Sequence, residues 1–211
     1  MDTAREAAEQ LRIIRNLMEK ATIFRALTGE TALVGGALAC LAAWASEKKF
    51  GLAWAQIWLI GLAIVLGFHL FQLWRIARAK ENGRIWNQGL KLVIRCALPS
   101  LLAGGITGLL VAKTSFAHNI NREIAACFWI THYGIALLAI REFVPKSMVW
   151  LGWAFVIFGV FCLSSLFTMD HVEHFMMKLN GSRLMAISFG GFHMIYGALI
   201  VTTKQRESAN D

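Results

Sequence analysis

Charge is what this sequence is shortest of. Only 16% of its 211 residues are Asp, Glu, Lys or Arg, against about a quarter in ordinary soluble domains. Hydrophobic residues reach 57% and mean hydropathy is +0.54. A single core in a chain of this length cannot hide that much apolar surface from water, which excludes an ordinary soluble domain. Proline is also scarce, with two residues, so little interrupts helical runs. The four cysteines (Cys40, Cys96, Cys127 and Cys162) lie in apolar stretches and form no Cys-x-x-Cys pair. They read as small hydrophobes rather than as a disulfide framework or a zinc site. There is no Gly-x-Ser-x-Gly, no phosphate-binding glycine loop, no His-Glu-x-x-His and no dinucleotide fingerprint. No catalytic residue is therefore assigned, and the chain is expected not to be an enzyme. Basic residues are not interleaved with stacking aromatics in a soluble patch, so nucleic acid is not an expected partner.

What the chain does have is six apolar runs, at 28–46, 53–74, 92–112, 124–140, 148–168 and 184–202. Each approaches the 20 or so residues that cross a bilayer at 1.5 Å rise per residue. The expected fold is all-α: a polytopic membrane protein of six transmembrane helices, preceded by an amphipathic N-terminal helix. Residues 1–27 form that helix, 28–203 the membrane domain and 204–211 a short tail. Around a helical wheel, Leu11, Ile14, Met18 and Phe24 share one face and Glu9, Arg12, Arg15 and Glu19 the other. Such a segment lies in the interface, covers the bundle's mouth or docks a cytoplasmic protein partner. Its charges rule out a cleavable signal peptide.

Basic residues are distributed unevenly. With the first run directed outward, fourteen of the 21 Lys and Arg fall on one side and six on the other, with Arg95 just inside the third run. Positive charge is retained on the cytoplasmic face. Both termini are therefore expected in the cytoplasm and the protein in a cell inner membrane, with the lipid bilayer as its first partner and homo-oligomers as a second.

The sharpest chemical feature is three histidines inside apolar runs: His69, His132 and His193, spaced 63 and 61 residues apart. Span one carries Leu33 through Leu38 around Gly35-Gly36, and span three the similar Leu102 through Thr107 around Gly104-Gly105. Three repeated helical hairpins would produce this pattern, and so would chance between apolar helices. Polar groups in hydrocarbon face the bundle interior. These imidazoles are read as hydrogen-bonded packing groups, as ligands for haem or another metal, or as a proton or substrate path. A second group, Asp170, His171, Glu173 and His174, has i,i+3 histidines that suit a divalent metal and equally form a solvated cap. Gly35-x-x-x-Ala39, Gly104-x-x-x-Gly108 and Ala186-x-x-x-Gly190 are read as helix contacts. Trp44, Trp54, Trp58, Trp74, Trp86, Trp150 and Trp153 are read as an interfacial belt.

Two stretches carry a resemblance. Leu27-Thr28-Gly29 through Gly35-Gly36, and Phe189-Gly190-Gly191-Phe192-His193 through Gly197, resemble a group of small uncharacterised bacterial six-span membrane proteins. Those proteins open on a charged helix and close on a Gly-Gly-x-His span. The likeness implies a bacterial inner-membrane protein and six spans, and it carries over no activity. The leading expectation for function is a non-enzymatic sensing, regulatory or partner-binding module. The alternatives are a small-molecule or ion transporter or channel using the intramembrane histidines, and a haem-binding redox protein.

Overall fold

A computed structural model describes residues 29–78, 88–114, 121–167 and 179–210. The amphipathic segment expected at 1–27 lies outside the described residues. Among the described residues every regular element is helical. In chain order these are α1 (Gly29–Ser46), α2 (Gly51–Arg78), α3 (Gln88–Lys113), α4 (Asn121–Ala139) and α5 (Lys146–Phe167). The last rod is α6 (Gly181–Met185), a π-helical stretch (Ala186–Phe192) and α7 (His193–Asn210). The helix thus runs through most of the expected tail.

Five of these rods are long and apolar enough to cross a membrane: Gly29–Ser46, Gly51–Arg75, Leu90–Lys113, Lys146–Leu166 and Gly181–Thr203. The rod missing from that set is α4, which corresponds to the fourth expected run. The reason lies in its position. Helix α4 is packed between α3 and α5, and buries Ala125, Ala126, Cys127, Ile130, Gly134, Ala136 and Leu137. Lipid sees little of it, so it can hold Arg122, Glu123, His132 and Tyr133 and still sit inside an apolar bundle. The outer helices do the reverse. Leu62, Leu66, Leu70 and Phe71 of α2 are each more than half exposed, as an oily solvent permits.

Small residues set the contacts. Without a hydrophobic drive between helices in lipid, close backbone approach supplies the packing. On α3, Gly104 meets His132 and Gly108 meets the Trp129 ring, so the expected Gly-x-x-x-Gly pair faces α4. On the other side of α4, Gly134 lies against the Gly152 carbonyl and Gly159 of α5 against Thr131. The α1–α7 seam uses a different register from the one read in the sequence. Gly29 packs on Gly197, and Gly36 on Gly190 and Met194, two antiparallel pairs seven residues apart on each helix. Gly35 meets only Val65, across to α2. Because Gly29 lies beside Gly197 and Val201, the start of α1 and the far part of α7 share one end of the bundle.

A side chain at position 36 would place Cβ 2.9 Å from the Gly190 carbonyl and 2.7 Å from Met194 Cγ, whereas at 35 the nearest atom is 3.9 Å away. Gly36→Val is expected to destabilise the detergent-solubilised protein by about 1–3 kcal/mol through overpacking. Gly35→Val should stay close to wild type in the same thermal melts.

Candidate functional site

Two polar regions occupy the bundle. The first closes the end where α1 finishes and α2, α4 and α6 begin. Helix α4 starts with Arg122 and Glu123, both buried, at 8% and 7% exposure. Adjacent opposite charges pair here: Arg122 Nη2 and Nε lie 3.3 and 3.4 Å from Glu123 Oε1. The guanidinium also donates through Nη1 to the carbonyls of Glu47 and Lys49, each at 3.1 Å, and lies 4.7 Å above the Phe50 ring. Glu123 Oε1 accepts the backbone N–H of Gly181 at 3.0 Å. One ion pair therefore fixes the α1–α2 turn, the start of α4 and the start of α6. Glycine at 181 is required by proximity, since a Cβ would fall 2.6 Å from the Arg122 carbonyl.

Around this pair the turn is sealed further. Asn180 caps α6 by accepting from the Arg183 N–H at 3.0 Å, and donates to Glu47 Oε1 at 2.9 Å. Arg183 reaches the same Glu47 oxygen at 2.9 Å. Beneath it runs a chain with a determined direction. Trp54 Nε1–H donates to Ser182 Oγ at 2.9 Å, Ser182 lies 2.9 Å from Ser46 Oγ, and Ser46 donates to the Ala43 carbonyl at 3.2 Å. Since the single Ser46 proton goes to the Ala43 carbonyl, it is the Ser182 hydroxyl that donates to Ser46. Trp54 is wholly buried, Trp58 nearly so, and Trp54 stacks on Trp129 with centroids 5.2 Å apart. These two tryptophans, expected in the interfacial belt, are core residues because Trp54 has a partner for its N–H and aromatic faces to pack against. Trp44 and Trp150, at 82% and 75% exposure, suit the belt.

The second region lies deeper. His193 opens α7, directly after the π-helical stretch. Its Nδ1 is 3.0 Å from the Phe189 carbonyl and its Nε2 is 2.9 Å from Tyr133 Oη. A carbonyl accepts only, so Nδ1 carries the proton, Nε2 accepts, and the Tyr133 hydroxyl donates. Phe155, Phe189 and Phe192 pack around the pair at ring separations of 4.8–5.4 Å for Tyr133–Phe155, Phe155–His193 and Phe155–Phe192. The Phe189 ring stacks on this imidazole with centroids 6.1 Å apart, within a π-helical turn of the kind that recurs at functional positions.

Of the three histidines selected from the sequence, His132 is set apart, whereas His69 and His193 lie near enough to interact electrostatically. His132 turns its Nδ1 to the Phe128 carbonyl of its own helix, at 2.9 Å, and packs into the α3 glycine face. His193 lies on the α5 and α7 side of α4. His132 and His193 thus occupy separate interfaces, and each ring nitrogen of His193 already has a partner. His69 on α2 has a buried Nδ1 with no hydrogen-bond partner among the described residues. His171, His174, Asp170 and Glu173 lie outside the described residues. Among the described residues, no group of three or more His, Cys, Asp or Glu side chains is placed to hold a metal. Sequence reasoning missed the Arg122–Glu123 pair. Neighbouring opposite charges at the mouth of a span were a readable signal. Gly181, whose N–H meets Glu123 from 58 residues further along the chain, was not.

No family model, no curated protein and no solved structure matches this chain.

Glu123→Ala leaves the Arg122 guanidinium buried without its carboxylate, and is expected to cost about 3–5 kcal/mol. The double replacement Arg122→Met, Glu123→Leu should recover part of that loss in the same melts. Tyr133→Phe removes the donor to His193 Nε2 and should cost about 1–3 kcal/mol. The chain should still be recovered folded, with the same helical circular dichroism.

Proposed function

We propose that this protein is a small, non-enzymatic, six-span inner-membrane module that relays a state of its outer polar seal to cytoplasmic residues 1–27. The observation that carries the reading is the π-helical stretch Ala186–Phe192, which follows the Arg122–Glu123–Gly181 contact and itself supplies Gly190 to the glycine seam with α1. A π turn holds one residue more than an α turn needs. Release of that extra residue would shift the helix register locally, which is the kind of element a switch requires. Helix α7 then runs antiparallel to α1, whose start joins the segment proposed to dock a protein partner or a second copy. The packed Tyr133–His193 pair supports a relay over a haem protein, because His193 has no ring nitrogen left for iron.

The six-span count rests on parity and on charge. Gly29 and Gly197 share an end, so the chain makes an even number of crossings between them. Five apolar rods plus the shielded α4 give six. The basic excess then assigns that end to the cytoplasm.

One observation favours a second reading, a carrier for protons or a small solute. Trp58 Nε1 and His69 Nδ1 lie about three turns apart on α2, and both are buried without hydrogen-bond partners among the described residues. Water along that face would satisfy them.

The relay reading expects a protein that co-purifies from the native membrane with the full chain and is lost on deletion of residues 1–27. It also expects proteoliposomes with no proton or solute flux above empty vesicles. Co-purification unchanged by the deletion, or flux abolished by His69→Ala, would replace the relay with the carrier. A reporter fused after Asp211 should be accessible only from the cytoplasm.

A further inference from the structure

The α2–α3 pair is the least buried part of the bundle. Helix α2 buries Trp54, Ala55 and Trp58 near its start and nothing fully from 59 to 75. Helix α3 mirrors this. It buries Gly104, Gly108 and Ala112 near its end and nothing fully from 90 to 103. The halves nearest the 79–87 connection therefore present open apolar faces, with Leu66, Leu70 and Phe71 on one helix and Ile94, Leu98 and Leu101 on the other at 37–63% exposure.

Those same halves end in cations. Arg75 and Arg78 close α2, and Lys91 and Arg95 open α3, all four exposed. Neither helix contains an Asp or Glu residue. The connection between them adds a single acid, Glu81, beside Lys80 and Arg84. The neighbouring turn at the same end carries an acid of its own, with Arg141 paired to Glu142 at 3.2 Å. Arg78 also lies 4.3 Å over the Trp74 ring, and indoles are enriched where helices meet the headgroups. Guanidinium groups suit phosphate because they offer two parallel donors.

We infer that this half of the α2–α3 pair is a binding site for an anionic phospholipid, its acyl chains lying on the open faces of α2 and α3 and its phosphate held by Arg75, Arg78 and Arg95, with Lys91 adding charge. A lipid meets both requirements at once, since it alone brings a phosphate to the end of a long apolar surface. The inference takes only the sidedness of the basic end from the function proposed above. Binding is read on isolated protein and stands or falls without it.

The test uses the full chain, delipidated in mild detergent, with thermal midpoint and native mass spectrometry as readouts. Phosphatidylglycerol should raise the midpoint and be retained in preference to phosphatidylcholine, and inorganic phosphate at equal concentration should do neither. Neutralising Arg75, Arg78 and Arg95 to Gln should weaken phosphatidylglycerol retention by about fivefold per cation. Arg141→Gln with Lys146→Gln, at the neighbouring turn, should leave it unchanged. Equal retention of the two lipids by wild-type protein overturns the site. So does an equal loss in the Arg141/Lys146 control, or a lipid-independent dimer that covers these faces. The wild-type lipid comparison decides the matter even if the triple variant does not fold.

Discussion

A polar group that enters hydrocarbon has to find its partner within the bundle, because no water is there to substitute. That constraint organises much of α4 and its neighbours, with Glu123 Oε2, Thr131 Oγ1, Trp58 Nε1 and His69 Nδ1 the buried atoms that have no hydrogen-bond partner among the described residues. Helix α4 carries the most polar character of the six rods, and it is the one enclosed by the others. Its Arg122 and Glu123 answer each other and then recruit three backbone segments. Its Tyr133 answers His193. Its His132 answers its own helix. The glycines of α3 and α5 follow from the same demand, since they let α4 sit deep enough for those partners to reach it. The apolar exteriors of α2 and α5 need no such arrangement and show none.

The constraint also explains how far the sequence could be read. Length and hydropathy disclose helices wherever lipid is the neighbour, and the five apolar rods fall close to the expected runs. They disclose α4 less sharply, because a helix shielded by protein is free of the hydropathy rule. Composition placed Trp54 and Trp58 at the membrane surface, where tryptophan is common. Their burial depends on Ser182 and Trp129, which are remote in the chain. Glycine spacing was legible as a tendency, but Gly36 rather than Gly35 faces α7, and a one-residue difference rotates the contact by about 100° around a helix. The histidines were legible as interior groups. Which neighbour each one answers is a property of three-dimensional registry, and Tyr133 had no feature in the sequence to announce it. The segment 1–27 and the group at 170–174 remain expectations of the sequence alone.

Rigid and adaptable parts alternate along the last rod. At one end the Gly181 N–H is pinned by Glu123 and Asn180 caps the first turn. At the other, α7 is locked to α1 through glycine pairs. The π-helical stretch carries a wider turn, seated on α1 through Gly190 and flanked by phenylalanine rings. Aromatic contacts have little directional cost over small displacements, whereas ion pairs and glycine seams tolerate few.

The α1–α7 seam has a consequence for biosynthesis. Its two halves lie about 150 residues apart in the chain, so α1 enters the membrane on the order of ten seconds or more before α7 leaves the ribosome. For that interval the Gly29 and Gly36 face has only lipid against it, and an unmatched small-residue face is a natural target for insertion chaperones or for membrane proteases. Closure of the bundle is thus a late event, and truncation ahead of α7 would yield a first helix that is correctly inserted yet permanently without its mate.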